Sequence, residues 1–323
     1  MRVLVLGGTE FVGRAIVADA LASGAEVTLF NRGRTGRDLF PEARRLVGDR
    51  DTGDYTALRG GAWDAVVDVS GYLRRQVRQA ADVLEGAVGR YLFVSSHAVY
   101  VRVGVAPGSD EDTPLRPPVV DPPVLDEDTY GPSKVACEQE VRERFGERAT
   151  VVRPGKVVGP HDPEDTLAYW VRRAARGGRV ALPGDPRQPV QVVDSRDLAR
   201  LVVRLVEDGR AGAFHAVGPE RPVTLGGLVE TCARVAGTQV ELVPVPVDAV
   251  SRSFPLVRPY WAGQQRSAAR ARAAGMPSTP LEATVADVLA WDRERGEPPL
   301  RSGASDEEER ALLGCHGERR PTP

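Results

Sequence analysis

Tyr130 and Lys134 stand four residues apart in the run YGPSKVACE, a spacing that brings two side chains to one face of a helix. An ammonium beside a phenol favours the phenolate and lowers the tyrosine pKa, so such a pair can work as a general acid and base near neutral pH. The same ammonium can hold a ribose. Ser96 closes the apolar run YLFVSS and offers a hydroxyl donor for a carbonyl or carbinol oxygen. Read as a parallel strand, that run puts Ser96 at a carboxyl end, where open α/β sheets bind ligands. An imidazole ordinarily titrates near neutrality, so His97 is a candidate accessory acid or base, as are His161 and His215, although lone histidines more often serve as structural hydrogen-bonders. No His/Cys/Asp group has metal-ligand spacing, and no metal is expected.

These side chains need a rigid frame, and the first thirty residues begin one. They read as a strand (2–6), a glycine turn, a helix (11–22) and a second strand (26–30). Gly7, Gly8, Thr9 and Gly13 lie at the hand-over from strand to helix, where a pyrophosphate can rest on helix N-terminal amides. Glycine suits that turn because a Cβ would block positive φ angles and close backbone approach. Glu10, Phe11 and Val12 complete the candidate cradle. Glu10 replaces the middle glycine of the usual GxxGxxG pattern and is expected to face solvent or cap the helix. The second strand runs into Asn31, Arg32, Gly33 and Arg34, without the acid that commonly reads a free ribose 2′-hydroxyl. Two arginines able to contact a 2′-phosphate imply a slight preference for NADP(H) over NAD(H).

The alternation continues with strands at 65–69, 91–95 and 150–153 and helices at 74–85 and 133–145, which argues for an α/β fold with a parallel sheet covered on both faces. Between 103 and 128 the composition suits a long loop. Beyond 153 come a Pro/Gly-rich stretch (154–163), helices at 166–176, 195–206, 225–235 and 281–293, and strands at 190–193 and 213–217. After 296 the chain turns polar, and a flexible tail is expected over 296–323.

The chain has 323 residues, enough for a large α/β domain with a smaller lobe. Its 43 basic and 45 acidic residues leave a net charge of −2, which disfavours nucleic acid as a partner. No segment has the length and apolarity of a membrane helix, and the N-terminus lacks a signal-peptide layout. Cys137, Cys232 and Cys315 are too widely spaced for a disulfide framework. A cytoplasmic protein with a small-molecule substrate is the expectation.

Six segments in order resemble the extended short-chain dehydrogenase/reductase family, which contains the NAD-dependent epimerase/dehydratases: VLVLGGTEFVGR (3–14), GDRDT (48–52), YLFVSSHAVY (91–100), YGPSKVACE (130–138), RPGKVVGPHD (153–162) and VVDSRDLA (192–199). The resemblance covers roughly residues 1–220. It implies a Rossmann-type doubly wound sheet with a smaller C-terminal substrate-binding lobe, divided as 1–159 plus about 190–218 for the dinucleotide domain and about 160–189 and 219–295 for the lobe. It also implies Ser96, Tyr130 and Lys134 as the catalytic set, Asp49 near the adenine, and the backbone from Pro154 to Val157 beside the nicotinamide carboxamide. A homodimer through helices 74–85 and 133–145 is a further implication.

The chain departs from the family's pattern in three places. The GGTEFVG turn is the variant form found in atypical reductase-like members and in chloroplast stem-loop RNA-binding proteins. VVDVSGY replaces the usual alanine-rich strand end and puts Asp68, Val69, Ser70 and Tyr72 near the cofactor. The asparagine often counted as a fourth catalytic residue has no counterpart in 74–85. His97 and Ala98 stand where sugar-nucleotide dehydratases carry an acidic pair, which disfavours 4,6-dehydration. An NAD(P)-dependent reductase or dehydrogenase is therefore expected, with Tyr130 as general acid/base. The alternatives are a sugar-nucleotide epimerase with retained NAD, for which Arg172, Arg173, Arg176 and Arg179 could grip a diphosphate, and a non-catalytic RNA-binding or regulatory protein.

Overall fold

The computed structural model describes residues 1–247, 254–258 and 265–315. In chain order the elements are β1 (Arg2–Leu6), α1 (Phe11–Ala22), β2 (Glu26–Asn31), β3 (Arg44–Val47), β4 (Trp63–Asp68), α2 (Arg74–Leu84), β5 (Val88–Val94), α3 (Tyr130–Phe145) and β6 (Ala149–Pro154). There follow β7 (Lys156–Val158), α4 (Thr166–Ala175), β8 (Gly178–Pro183), β9 (Pro189–Val190), β10 (Val192–Asp194), α5 (Ser195–Glu207) and β11 (Gly212–Ala216). The chain continues through β12 (Val223–Thr224), α6 (Leu225–Ala236), β13 (Val240–Val245), α7 (Ala269–Ala273), α8 (Leu281–Glu294) and α9 (Asp306–Cys315).

These elements form two compact units, the first comprising 1–157, 195–217 and 266–277 and the second 158–194, 218–265 and 278–323. In the first unit seven strands pair in parallel in the order β11-β6-β5-β4-β1-β2-β3. Strand alternation sorts the side chains between the two faces. Leu4, Leu6, Val66, Tyr91 and Phe93 join Val77, Ala81 and Leu84 of α2 and Cys137, Val141 and Phe145 of α3 in one core cluster. The residues between them, Val3, Val5, Val67 and Leu92, are equally enclosed on the opposite face, where α1 packs on α5. Burying each such side chain contributes about 1.5–3 kcal/mol. The strand order reverses between β1 and β4, so the helices after these two strands pack on opposite faces of the sheet.

The second unit has its own core, in which Leu167 and Trp170 of α4, Leu228 and Val229 of α6, and Val285 and Val288 of α8 enclose the parallel pair β8–β13. Two expectations from the sequence change here. Residues 266–277 fold with the dinucleotide unit rather than with the lobe. The stretch expected as a flexible tail contains α9, which docks on β8 through Glu309; its carboxylate accepts from Arg173 Nε at 2.5 Å and from the Ala181 amide at 3.0 Å. An acidic run reads as solvated in sequence, but here one of its members is 5 % exposed and paired. The rest of that expected tail, 316–323, lies outside the described residues.

Candidate active site at the carboxyl edge of the sheet

The glycine turn has the backbone conformation that its composition requires. Gly7 and Gly8 adopt φ of +112° and +93°, and a Cβ at Gly13 would stand 2.8 Å from the Gly8 nitrogen, so helix α1 can approach the turn only at a glycine. The first-turn amides of α1, including Phe11, Val12 and Gly13, have no intrahelical acceptor. Glu10 occupies the N-cap position, is exposed and makes no side-chain cap bond, so its solvent-facing expectation holds and its capping role does not. A turn that has no room for a Cβ at Gly7, Gly8 or Gly13 and ends in helix amides fits a dinucleotide pyrophosphate.

Asn31 is spent on holding this turn. Its Nδ2 donates to the Gly7 carbonyl at 3.1 Å, and its Oδ1 accepts from the Gly33 amide at 2.9 Å. The Thr9 and Thr35 hydroxyls meet at 3.0 Å, tying the loop after β2 to the glycine turn a second time. Arg32 and Arg34 extend from that loop, half or more exposed, and each faces an acid: Arg32 lies 3.7 Å from Asp51 and Arg34 lies 4.0 Å from Asp49. Asp49 itself is set by reciprocal backbone bonds with Asp54 and by accepting the Asp51 amide.

Asp68, Val69 and Ser70 end β4 beside Gly7; a Cβ at Gly7 would meet Val69 Cγ2 at 2.7 Å. The Asp68 carboxylate is turned inward and is 0 % exposed. It takes two bonds from Arg50, at 2.5 and 2.9 Å, one from the Tyr91 hydroxyl at 2.7 Å and one from the Ser70 amide at 3.1 Å. Burial alone would raise its pKa, but the Arg50 guanidinium and the Arg50 and Tyr91 hydrogen bonds hold it below the ordinary carboxylate value. Asp68 is thus saturated inside the fold, and Ser70, whose hydroxyl joins Arg50 and the Leu6 carbonyl, shares that duty. The sequence reading missed Arg50 and Tyr91. The available signal was a charged residue, Arg50, eighteen positions before an acid that follows the apolar run 65–67.

Lys134 is 2 % exposed and donates to the carbonyls of Gly71 and Val94, both at 2.8 Å, with its ammonium 4.2 Å from the Phe93 ring centroid and 5.4 Å from that of Tyr72. Desolvation lowers its pKa. Two of its three N–H donors are therefore fixed by backbone, one by the loop after β4 and one by the last residue of β5. Tyr130 occupies the first position of α3, half-buried, one turn before Lys134. The start of α3 lies against the turn that follows Ser96: a Cβ at Gly131 would stand 2.1 Å from the Ala98 carbonyl oxygen. Ser96 Oγ accepts from the Ala98 amide at 3.1 Å, which leaves its proton available for donation. Ser96, Tyr130 and Lys134 thus belong to one corner of the sheet edge. Pro154 and Val157 flank the end of β6, with Gly155 bonded to the Ala216 carbonyl of β11.

Behind this corner lies a buried polar chain that sequence reasoning did not find. Ser95 Oγ donates to Glu138 at 2.6 Å, and Glu138, one turn after Lys134, accepts two bonds from Arg153 at 2.9 and 2.7 Å. Arg153 also donates to the Tyr100 hydroxyl at 2.6 Å, which meets His215 Nε2 at 2.5 Å. His215 Nδ1 faces the Ser267 carbonyl at 2.9 Å, so Nδ1 carries the proton and Nε2 accepts from Tyr100. Burial pushes the imidazole down to about 4, and the ring is 0 % exposed. His215 is a structural hydrogen-bonder and not an accessory acid or base. His161 packs edge-on against Trp291 within the second unit, while His97 opens the short turn after Ser96 and is half-buried.

Three of the four arginines read as a diphosphate grip, Arg172, Arg173 and Arg176, are engaged internally, whereas Arg179 is exposed. Arg172 makes a bidentate pair with Asp292 of α8 at 2.9 and 2.7 Å, Arg173 binds Glu309, and Arg176 binds Asp306 at 2.5 Å. They fasten α8 and α9 to α4, which removes the sequence argument for a diphosphate grip at these positions. Among the described residues no cluster of His, Cys, Asp or Glu could hold a metal ion, and no helix is long and apolar enough to cross a membrane.

The fold and the site define a nicotinamide-dinucleotide enzyme of the Rossmann type, and comparison with known proteins agrees. The family model described as "NAD dependent epimerase/dehydratase family" matches residues 3–217, and the chain belongs to that family. It is 30 % identical over 270 residues to dTDP-6-deoxy-L-talose 4-dehydrogenase (NAD(P)(+)) of Kitasatospora kifunensis, covering 76 % of this chain and 82 % of that protein. It is 25 % identical over 254 residues to a chloroplast stem-loop binding protein of 41 kDa from Arabidopsis thaliana, with 73 % of this chain covered. The match spans 63 % of that relative's length. The fold is shared with UDP-glucose 4-epimerase of Thermotoga maritima, at a TM-score of 0.70 and 19 % identity over 92 % of this chain and 100 % of that one. The chain is an NAD(P)-dependent oxidoreductase of this family.

Proposed function

We propose that the protein is a cytoplasmic reductase or dehydrogenase acting at a carbonyl or carbinol carbon of a nucleotide-linked deoxysugar, the substrate class named for the Kitasatospora relative. What supports this reading is that Lys134 is held at the carboxyl edge one turn after Tyr130, while Gly131 lies against the turn that follows Ser96. A bound nicotinamide would supply or accept hydride. Gly7, Gly8, Thr9 and Gly13 would hold its pyrophosphate, with Phe11 and Val12 on the adjoining helix turn. Asp49 would lie toward the adenine and Pro154 and Val157 toward the carboxamide. Ser96 donates a hydrogen bond to the substrate oxygen, Tyr130 transfers the proton to or from that oxygen, and Lys134 biases the phenol toward phenolate. Lys134 can do this because its position is fixed by the Gly71 and Val94 carbonyls. Arg32 and Arg34 admit the 2′-phosphate of NADP(H).

The same reading includes a homodimer through α2 and α3. Their exposed side chains include Arg78, Asp82, Arg142 and Glu143, so association there would depend on charge pairing.

The deciding experiment releases and identifies any ligand retained by the purified protein, then titrates NADPH and NADH and assays oxidation or reduction of dTDP-linked 4-keto and 4-hydroxy deoxysugars. Exchangeable binding with net cofactor turnover supports the reductase. Tightly retained NAD(H) with substrate isomerisation and no net turnover would replace it with an epimerase. RNA binding without dinucleotide binding would overturn both.

A further inference from the structure

The end of β2 carries no acid, but an acid from the turn after β3 faces Arg32. Asp51 follows β3, and its two carboxylate oxygens have separate tasks. Oδ1 accepts from Gln76 Nε2 at 2.8 Å, and Oδ2 faces the Arg32 guanidinium at 3.7 Å. Gln76 is 5 % exposed, and its own Oε1 accepts the amides of Tyr72 and Leu73 at 3.1 Å each, so a buried amide at the start of α2 aims the Asp51 carboxylate. The Asp51 amide donates to Asp49, which fixes the backbone as well. The loop that carries Arg32 is anchored to the glycine turn through Asn31 and Thr9.

We infer that Asp51 determines the selectivity of this site between a phosphorylated and an unphosphorylated adenosine ribose; the inference rests on the dinucleotide reading above. A 2′-phosphate would have to share Arg32 with a fixed carboxylate and would be repelled by that carboxylate at close range. A free 2′-hydroxyl carries no charge, and a carboxylate can accept its proton, the task usually given to an acid at the end of the second strand. Arg32 draws in NADP(H), Asp51 opposes it, and the parent protein consequently accepts both dinucleotides with little discrimination.

The test titrates NADPH and NADH against the full-length parent, Asp51→Asn, Arg32→Ala and the double variant, with thermal melts to confirm that each is folded. Asparagine retains an Oδ1 acceptor for Gln76, so the loop keeps its anchor. Asp51→Asn should tighten NADPH roughly fivefold or more, the scale of one unit charge a few ångströms away at a wet surface, and weaken NADH by roughly severalfold, because its 2′-hydroxyl loses the carboxylate acceptor. The gain should shrink when Arg32 is absent. An NADPH/NADH ratio that is the same in Asp51→Asn and the parent overturns the role of Asp51 while leaving the dinucleotide reading intact. Failure of the parent and every folded variant to bind either dinucleotide overturns both.

Discussion

At Tyr130 and Asp68 the same chemical vocabulary, a phenol or carboxylate near a cation, serves opposite ends, and burial separates them. Tyr130 stays half-exposed at a helix start, whereas Asp68 is fully enclosed and saturated by Arg50, Tyr91 and Ser70. Replacing Tyr130 with phenylalanine removes only the transferable proton. Turnover should fall by about a hundredfold or more, with dinucleotide affinity retained. Steady-state kinetics beside a cofactor titration checks this, and parental turnover would remove Tyr130 from the mechanism. Asp68→Asn instead leaves a buried guanidinium without its counter-charge and should destabilise the fold by on the order of 3 kcal/mol, read as a lower urea midpoint at pH 7. Because the folded Asp68 pKa is depressed, its stabilisation is present above the unfolded carboxyl value and is lost as pH falls below about 4. Asp68 was expected from sequence only as a residue near the cofactor; which way its carboxylate points depends on where Arg50 and Tyr91 arrive, and neither is its neighbour in sequence.

The placement of the corner depends on how closely elements meet. Helix α3 reaches the turn after β5 only because residue 131 has no side chain, so Gly131→Ala should push Tyr130 away from Ser96. The expected result is a fall in kcat of about tenfold or more in a folded protein that still binds dinucleotide. An unchanged kcat would show that the contact does not set the catalytic geometry. The buried chain from Ser95 to His215 ties β5, α3, β6 and β11 together and carries a pH signature. Between the unfolded histidine value near 6.5 and the folded value of about 4, the unfolded chain binds a proton that the folded one refuses. Stability should therefore drop as pH falls through that window, by on the order of 3 kcal/mol in total, and His215→Gln should flatten the slope. Urea unfolding at several pH values from 7 to 4 measures the difference; identical slopes would mean that His215 titrates normally. The helices and strands themselves were readable because period 3.6 and continuous apolar runs are local signals. The missed elements, such as β3 and α9, are short or polar and owe their order to tertiary partners: β3 pairs with β2, and α9 is held by Arg173 and Arg176.

For the molecule as a whole, association through α2 and α3 would be governed by the charged residues on their exposed faces. Sedimentation should then show a dimer at low ionic strength that dissociates as salt approaches about 0.5 M, where screening acts within a few ångströms. A dimer indifferent to salt would require another, apolar surface. By itself the sequence determined the class of fold, the glycine turn and the candidate trio Ser96, Tyr130 and Lys134, because strand–turn–helix order and i, i+4 spacing are written along the chain. Only the tertiary structure decided which charges are available. It enclosed Asp68 and His215, committed Arg172, Arg173 and Arg176 to the C-terminal helices, and set Asp51 opposite Arg32. The physical reason is that a charge's role follows from its distance to partners and from its burial, and both are created when segments far apart in sequence are packed together.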